Sequence, residues 1–386
     1  MYRLITLLSL LLPCTYADLM IVGNDEKMTW NENGQLIKRP TDKNDNIMVY
    51  DLKSNPLNPK MIAKLNLVNS IFGPPSNIDV SSDEKFAYIA NSLNWIQKDG
   101  EWGWKPGNEL YVIELNGNGS LLTTVNVGKQ PSGIDITPDN RYLLVTNRAE
   151  NSISLIELNG KKSKVVQTID VIDSPAGISI SPDGNTALFV KKDVNKVGVL
   201  KFENGKISYD PLMDINVGIE PYNVKISPKG NIALVNNIGA AGGNDGHADT
   251  VSVIDMTAKR PLVIDHVTVG DGPEGLTFNH DGTMAISVLI NGSHKAKADP
   301  ATAWAYNKNG AIAILKIEGK KVIKTQHIEV GGMPEGAVFN KDGSYLYVGN
   351  FKSRDISILK VENGIVKDSG KRIEFDSAPG SMGRSK

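Results

Sequence analysis

The amino-acid sequence predicts an all-β protein, a seven-bladed β-propeller built from four-stranded antiparallel blades. Six segments share one pattern, in which a proline is followed eight residues later by a turn and sixteen residues later by the end of a strand. Their prolines are Pro75, Pro131, Pro175, Pro221, Pro273 and Pro334, and a partial seventh copy begins at Pro379. We number the blades by these prolines, so the blade that begins at Pro379 is blade 7.

Each copy predicts two β-strands joined by a tight turn, because apolar and polar residues alternate with the period of two of a half-buried strand. Asp183-Gly184, Asp281-Gly282 and Asp342-Gly343 mark three of the turns, since Asp-Gly is favoured in two-residue hairpins whose residues adopt positive φ. A third strand follows, as in "SISLIEL", and then a fourth that ends in glycine, as in "TTVNVG".

The two ends of the chain supply complementary parts of the last blade. "APGSM" near the C-terminus begins an innermost strand, whereas 18–24 and 46–52 near the N-terminus supply the strands that would follow it. We therefore expect N- and C-terminal strands to close the ring, which removes the free sheet edges that promote aggregation. Residues 18–386 would form a single propeller domain.

The segment 1–17 has the anatomy of a secretory signal peptide. Arg3 precedes an apolar run over 4–12, and Ala17 ends a site of small residues where cleavage is expected. The run is about half the length of a membrane span, so we expect a periplasmic or secreted protein without a transmembrane segment. Cys14 leaves a lipid-anchored form open, although Pro13 before it fits that signal poorly.

The overall charge argues against a polyanionic partner. Lys and Arg together number 42 and Asp and Glu number 43, so the net charge is close to zero. Nucleic acid is therefore not expected as a partner. The partner would be a small molecule or a periplasmic protein, and we expect a monomer that relies on its core, because cleavage removes the only cysteine.

The strand ends "YIAN" (88–91), "LVTN" (144–147) and "YVGN" (347–350) resemble the YVTN repeat family. That family is a lactonase-like group of exported bacterial seven-bladed propellers, and the resemblance covers essentially all of 18–386. It implies the propeller fold, but the group contains ligand binders as well as hydrolases, so it implies no single function.

Function is expected where the repeat is interrupted, because insertions in repeat proteins map to loops on one face. The connection between the second and third strands is short in blades 2, 3 and 6. It is long in the other four, at 25–45, 92–108, 238–249 and 290–310. We expect a cleft over the channel on this face, walled by blades 7 and 1 and by blades 4 and 5, and lower at the short connections.

These insertions contain all five tryptophans, Trp30, Trp95, Trp102, Trp104 and Trp304. Aromatic rings suit sugars, heteroaromatic ligands or a cation, so we predict that at least one ring contacts a ligand. The alternative is that the rings form small apolar clusters that hold the long loops. Arg148 and Arg354, in short connections, could bind a ligand carboxylate or phosphate.

The residue after each blade's proline is expected near the channel mouth, and Tyr222, Glu274 and Glu335 occupy this position in neighbouring blades. Converging carboxylates raise one another's pKa or bind a cation, so both glutamates are candidate catalytic or metal-binding residues. The alternative is a solvated glutamate without a role. The resemblance implies a Ca²⁺ site here, joined by the asparagines that end the second strands, which could instead cap the loop turns.

The insertion of blade 4 adds Asp245, His247 and Asp249. Asp-x-His-x-Asp offers metal ligands, or a base oriented by a carboxylate, and the alternative is a solvated flexible loop. Three hypotheses follow for the whole protein. It is a periplasmic propeller that binds a small ligand or protein in the cleft, a lactonase-like hydrolase or isomerase with its site at the channel mouth, or an accessory to a periplasmic redox system.

Overall fold

The computed structural model describes residues 18–31, 33–39, 45–117, 119–240, 245–295, 297, 300 and 303–385. The expected signal peptide, residues 1–17, lies outside the described residues, so cleavage near Ala17 stays a prediction.

The described chain forms seven four-stranded antiparallel blades, which confirms the predicted fold class. Within each blade the strands follow one another from the channel outward. Blade 1 consists of β6 (Ile78–Val80), β7 (Phe86–Lys98), β8 (Glu101–Glu114) and β9 (Ser120–Asn126); blade 2 of β10 (Pro131–Ile136), β11 (Tyr142–Asn147), β12 (Ser152–Glu157) and β13 (Lys164–Asp170); blade 3 of β14 (Pro175–Ile180), β15 (Thr186–Lys191), β16 (Lys196–Glu203) and an outer edge split into β17 (Lys206–Tyr209) and β18 (Ile215–Asn216).

The remaining blades repeat this order. Blade 4 consists of β19 (Pro221–Ile226), β20 (Ile232–Asn237), β21 (Asp249–Asp255) and β22 (Leu262–Gly270); blade 5 of β23 (Pro273–Phe278), β24 (Met284–Leu289), β25 (Ala311–Glu318) and β26 (Lys321–Glu329); blade 6 of β27 (Pro334–Phe339), β28 (Tyr345–Asn350), β29 (Asp355–Glu362) and β30 (Ile365–Glu374); blade 7 of β31 (Pro379–Arg384), β1 (Leu19–Asn24), β4 (Asn46–Asp51) and β5 (Lys60–Leu65). Short 3₁₀ helices occur at Arg148–Glu150, Gly160–Lys162, Lys192–Val194, Pro211–Met213 and Ala303–Ala305.

Blade 7 is assembled from both ends of the chain, as predicted. The C-terminal β31 pairs with the N-terminal β1 in a register that places Met20 opposite Arg384 and Val22 opposite Met382. On its other side β1 pairs with β4. The N-terminal strand is therefore an inner strand of the last blade, with no free edge.

The hydrophobic core is divided among the seven interfaces between neighbouring blades. Between blades 7 and 1, for example, Ile21 and Val49 pack with Ile89 and Ile113. Each interface has a comparable cluster. Burying aliphatic side chains at each interface, at about 1.5–3 kcal/mol per fully buried side chain, is what holds successive blades together.

Two of the insertions contain regular structure of their own. In blade 1, β7 and β8 run on past the sheet as a β-hairpin in which Trp95 lies opposite Trp104, so the segment 92–108 is an extended hairpin and not a loop. In blade 7 the insertion carries a two-stranded ribbon of β2 (Met28–Trp30) and β3 (Leu36–Lys38).

The expectation for the Asp-Gly turns is corrected by the structure, because only the glycine adopts positive φ. Gly184 has a φ of 74°, and its N–H donates to the Ser181 carbonyl at 2.8 Å. Asp183 instead accepts hydrogen bonds, from the Asn185 N–H at 3.0 Å and from the Ser181 hydroxyl at 2.5 Å. The loop between the two strands is longer than two residues, and its aspartate stabilises the turn through its side chain.

Asparagines at the ends of second strands tie the connections on the insertion face. The Asn350 amide donates to Asp355 at 2.5 Å and to Ser357 at 2.9 Å, and its oxygen accepts from the Gly331 N–H at 2.9 Å. Asn147 likewise donates to two serines of the next strand. These bonds join the end of one strand to its neighbours.

In blade 3 a buried lysine replaces this asparagine. The Lys191 ammonium forms ion pairs with Asp173 at 2.8 Å and with Asp214 at 2.7 Å, and it donates to the Tyr209 hydroxyl at 3.0 Å. Its side chain is 4% exposed. Charge pairing therefore substitutes for amide hydrogen bonding where the repeat is broken.

We expect Lys191→Met to lower the free energy of unfolding by about 3 kcal/mol, because it leaves Asp214 without its ammonium partner in a buried position. Urea unfolding followed by tryptophan fluorescence measures this change. Lys161→Met removes an exposed lysine and is the matched control. A stability for Lys191→Met equal to that of the control would contradict the structural role of the ion pairs.

Candidate functional site

Two equivalent positions of the repeat surround the channel mouth on the face that carries the insertions. The first follows each blade's proline and is occupied, from blade 1 to blade 7, by Ser76, Ser132, Ala176, Tyr222, Glu274, Glu335 and Gly380. The second follows the end of the second strand and is occupied by Ser92, Arg148, Lys192, Ile238, Ile290, Phe351 and Asp25. Cations therefore lie on blades 2 and 3, the two glutamates lie on blades 5 and 6, and a tyrosine lies on the blade between them, while Asp25 is a further carboxylate on blade 7.

Glu274 and Glu335 are brought together and hydrogen-bond to each other through their side chains. Burial raises the pKa of both, and the Glu274 charge raises that of Glu335 further. Glu335 is only 2% exposed. Neighbouring carboxyls with raised pKa values favour a state in which one is protonated and the other ionised, so that one can act as an acid and the other as a base.

A glycine makes this close approach of two blades feasible. A Cβ on Gly275, which follows Glu274, would lie 2.1 Å from the Glu335 carbonyl oxygen, a distance that no side chain tolerates. The Pro-Glu-Gly sequence is thus needed for the innermost strands of blades 5 and 6 to come into contact. The carboxylates at their start are then neighbours.

Lys192, Arg148 and Tyr222 complete the cluster. The Lys192 ammonium lies 5.9 Å from the centre of the Tyr222 ring and 3.2 Å from the Glu220 carboxylate. The charges of Lys192 and Arg148 act against the burial that raises the Glu274 pKa. Burial, with Glu274 nearby, raises the pKa of Tyr222, so Tyr222 remains a neutral hydrogen-bond donor. We call these five residues the mouth cluster.

The connection from blade 7 to blade 1, residues 66–75, crosses the mouth beside this cluster. Gly73 in this crossing segment is hydrogen-bonded through its backbone to Tyr222. A Cβ on Gly73 would lie 2.0 Å from the Ser132 hydroxyl and 3.7 Å from the Arg148 guanidinium. The segment therefore reaches from blade 7 to blades 2 and 4 and covers part of the mouth cluster.

A buried ammonium anchors the crossing segment. Lys27 is 1% exposed and is bonded to Asp25 at 3.1 Å, to Asp45 and to the Asn69 carbonyl. Although burial lowers it, the two carboxylates raise the pKa of Lys27 overall. Asp25 also accepts a hydrogen bond from the Ile71 N–H at 2.9 Å. Sequence reasoning did not identify this anchor, because it depends on charges at the two ends of an insertion.

Three buried polar atoms at the mouth have no hydrogen-bond partner within the described part of the chain. They are the Ser76 and Ser132 hydroxyls and the Oε2 atom of Glu335. Buried polar groups are ordinarily satisfied, so these atoms mark where a polar ligand or ordered water can be received. This supports a binding site among blades 1, 2 and 6.

Three of the tryptophans pack in the hairpin of blade 1. Trp95 is 6% exposed and stacks on Trp102 at 6.0 Å between ring centres, with Trp104 at 5.3 Å. Trp104 also lies 5.0 Å from Phe72 of the crossing segment. These rings support the hairpin and the crossing segment, as the alternative interpretation proposed.

Trp30 takes part in an apolar cluster that joins the insertions of blades 5 and 7. Its ring lies 6.1 Å from Phe351 and 6.4 Å from His294, and Met28, Ile290 and Met333 pack beside it. Burial lowers the pKa of His294 to about 4, so its imidazole is neutral there. The wall of the cleft was expected to be low at blade 6, but this apolar cluster spans it. The wall is therefore low only at blades 2 and 3, where the connections are short.

The Asp-x-His-x-Asp segment does not converge. Asp249 turns inward and accepts from the Gly272 N–H at 2.9 Å, and burial raises its pKa to about 7. The Asp245 side chain accepts from the His247 backbone, while the His247 ring lies 6.0 Å from Trp304. Trp304 is 64% exposed, the most accessible of the five tryptophans.

The Ca²⁺ site expected at the channel mouth stays a proposal. Within the described ranges, no group of three or more His, Cys, Asp or Glu is arranged to hold a metal ion. Glu274 and Glu335 supply two carboxylates that share a proton beside two cations, whereas Ca²⁺ takes about six to eight oxygen ligands. The two glutamates alone therefore do not complete a Ca²⁺ site.

Arg354 lies outside the mouth cluster. Its guanidinium is paired with Glu26 at 2.5 Å and donates to the Asp376 carbonyl at 3.0 Å. Arg39 bonds the same Glu26 carboxylate. The structure thus uses Arg354 to tie blade 6 to the insertion of blade 7.

We expect Glu335→Gln to become more stable relative to the wild type as pH rises. A raised pKa means that ionising Glu335 costs more in the folded state, so the wild type loses stability as pH increases above the ordinary value of 4.5. The difference should grow as pH rises from about 4.5 towards the raised pKa of the folded state, by about 1.4 kcal/mol for each unit by which the pKa is raised. Urea unfolding at several pH values measures it.

The exposed Glu101→Gln variant is the control, and its pH profile should parallel that of the wild type. If the Glu335→Gln profile were also parallel, the carboxyl would titrate normally and the pair would not share a proton.

Comparisons with known proteins agree with this architecture. The model of the family "Lactonase, 7-bladed beta-propeller" matches residues 29–225, just over half of the chain. A stretch of 117 residues is 29% identical to Antigen Lp49 of Leptospira interrogans and covers 30% of this chain. The match spans 23% of that curated relative, less than a quarter of its length.

Solved structures show the same fold at low sequence identity. A candidate 6-phosphogluconolactonase from Bacteroides uniformis superimposes with a TM-score of 0.71 at 16% identity, over 95% of this chain and 99% of that one. The periplasmic gluconolactonase PpgL of Pseudomonas aeruginosa gives 0.63 at 15% identity, over 95% and 98%. Among the described residues, no helix has the length and apolar character needed to span a bilayer. The family match and the seven closed blades together establish that the chain belongs to the lactonase family of seven-bladed β-propellers.

Proposed function

We propose that the protein hydrolyses the lactone of a small anionic sugar acid at the mouth of its central channel. One observation carries the proposal, namely that Glu274 and Glu335 are hydrogen-bonded to each other, with raised pKa values, beside the cations of Arg148 and Lys192. Pairs of titratable groups with shifted pKa values in a confined site are characteristic of acid–base catalysis.

The chemistry requires one base and one acid, which the pair supplies. The ionised carboxylate takes a proton from a water molecule while the oxygen of that water forms a bond to the lactone carbonyl carbon. The protonated carboxyl then gives its proton to the ring oxygen as the bond between that oxygen and the carbonyl carbon breaks. The product is an open-chain hydroxy acid, and the two glutamates have exchanged protonation states.

The remaining members of the mouth cluster would orient the substrate. Arg148 and Lys192 offer positive charge to a carboxylate or phosphate substituent, and Tyr222 offers a neutral hydroxyl near Glu274. The substrate would approach over blades 2 and 3, where the connections are three-residue 3₁₀ helices. The names of two structural neighbours, both gluconolactonases, support this substrate class.

A non-catalytic binding protein is the second candidate, and the exposure of Trp304 favours it. Trp304 is 64% exposed and is held against the His247 ring, an arrangement suited to stacking on a sugar. In this version the insertions of blades 4 and 5 bind the ligand and the mouth cluster only adds charge. Under either candidate we propose export, with cleavage near Ala17.

We expect Glu274→Gln and Glu335→Gln each to lower kcat/KM for 6-phosphoglucono-1,5-lactone by about 10²–10⁴-fold, because each removes a proton-transfer group. Arg148→Met should raise KM more than it lowers kcat. Hydrolysis is followed by acid release, with the spontaneous rate subtracted. Glu101→Gln is the control and should retain wild-type activity.

Activity that is absent from the wild type, or unchanged in both glutamine variants, would contradict the hydrolase proposal. A cation-dependent version with Ca²⁺ stays a proposal, and hydrolysis lost in EDTA and restored by Ca²⁺ would favour it.

The binding candidate makes a separate prediction for gluconate, which cannot be hydrolysed. Trp304→Ala should weaken gluconate binding by about tenfold if the ring stacks on the ligand, as measured by isothermal titration calorimetry. Trp102→Ala, in the hairpin of blade 1, is the matched control. Equal affinity in the wild type and both variants would remove the tryptophans from the site.

A further inference from the structure

The central channel contains a cavity that opens on the face opposite the insertions. It encloses about 510 Å³, and prolines of the hairpin turns, Pro138, Pro182 and Pro228, line its rim. Its inner end reaches Ser76 and Gly275, close to the mouth cluster. Small-molecule sites typically enclose about 300–1,000 Å³, so the cavity is large enough for one.

Apolar side chains supply more of the cavity wall than polar ones do. Each blade contributes at least one apolar side chain, among them Ile136, Leu276, Phe278 and Met382. A ligand in this space would exchange water for aliphatic and aromatic contacts, which favours binding in proportion to the apolar area that is covered.

One repeat position facing this channel lies four residues after each proline. In blades 1 to 3 it is Asp79, Asp135 and Ser179, and each accepts a hydrogen bond from a backbone N–H of the next blade. In blade 4 the position is Lys225. A lysine offers no acceptor, so this substitution gives up the tether between blades and places an ammonium on the cavity wall.

The Lys225 charge is not balanced by a neighbour. Its ammonium forms no hydrogen bond or ion pair with the residues that the structure describes. The other charged wall residues are engaged, since Asp79 accepts from two backbone N–H groups and the charges of Asp18 and Glu84 act on Arg384. Among the charged wall residues that the structure describes, Lys225 is the cation available to an anion from outside the chain.

We infer that the cavity binds an amphipathic organic anion, with its carboxylate or phosphate at Lys225 and its apolar body against Leu276, Phe278 and Met382. Both halves of this ligand follow from the wall, which places Lys225 in the same cavity as the apolar side chains of Leu276, Phe278 and Met382. The cavity site and the proposed active site lie on opposite sides of the glutamate pair. The inference about the cavity does not rest on the proposed function.

Binding of decanoate, measured by isothermal titration calorimetry and by the rise in melting temperature, tests the site. The wild type should bind decanoate and be stabilised by it through mass action. Lys225→Met should weaken binding by about tenfold or more, because a charge-assisted hydrogen bond is lost. Lys225→Arg should retain most of the affinity, and 1-decanol should bind the wild type about as weakly as decanoate binds Lys225→Met.

Two further variants locate the ligand. Thr277→Trp fills the cavity at the equivalent position of blade 5 and should abolish decanoate binding, with circular dichroism used to verify the fold. Lys229→Met removes an exposed lysine from the turn on the same face and should bind like the wild type. Arg148→Met, at the other end of the channel, should also bind like the wild type.

Several results would overturn the inference. Absence of decanoate binding at millimolar concentration would show that the channel holds only water. Equal affinity in the wild type and Lys225→Met, or equal loss in Lys229→Met, would remove Lys225 as the anion-binding group. Loss of decanoate binding in Arg148→Met with Lys225→Met unchanged would move the ligand to the mouth cluster.

Discussion

The pairing of the C-terminal strand with the N-terminal strand is the interaction on which the ring depends. Each blade buries its apolar faces only against two neighbours, so an open array would leave two faces in water. The register between β31 and β1 supplies the missing contact, and β1 is buried along its whole length. The ring has all seven interfaces between blades only when β31 has paired with β1, so the geometry of the channel depends on this closure.

Closure gives a symmetric ring, and the chemistry comes from departures from that symmetry. One of them is the crossing segment, which holds nine residues (66–74) before its proline where the next connection holds four (127–130). The extra length lets Gly73 reach Tyr222, and the buried Lys27 fixes the other end through Asn69. Separating three buried charges from their partners costs several kcal/mol, so the segment is held firmly and the mouth cluster has a defined shape.

The sequence was sufficient to predict what repeats, because a periodic pattern reports the same local physics several times. Blade number, strand order, closure and the positions of the insertions are all of this kind, and all agree with the structure. The proximity of Glu274 and Glu335 was also predictable, since they occupy one repeat position in adjacent blades. Lys192 was not predicted from the sequence, although it occupies the same repeat position as Arg148 in a connection of the same length.

What could not be predicted are contacts between insertions, since no periodicity relates them. Trp30 meets His294 across blade 6, and Trp104 meets Phe72 of the crossing segment. Both contacts join segments far apart in sequence. They depend only on the complementary shapes and apolar surfaces of the side chains. The hairpin of blade 1 was likewise expected as a loop, because its polar residues mask the cross-strand pairing of Trp95 with Trp104.

The innermost strands of blades 1 to 3 and of blades 4 to 6 use the same two repeat positions differently. In blades 1 to 3 the position after the proline is small, and the position three residues further on carries the tether to the next blade. In blades 4 to 6 the same two positions hold Tyr222, Glu274 and Glu335 at the mouth, and Lys225, Thr277 and Val338 within the channel. A residue that accepts a neighbour's N–H cannot also present a free charge. At this position blades 1 to 3 therefore use the side chain to bond the next blade, whereas blade 4 places Lys225 in the channel and bonds blade 5 through Asn223 and Asn236 instead. The mouth cations Arg148 and Lys192 come from the connections that follow the second strands of blades 2 and 3.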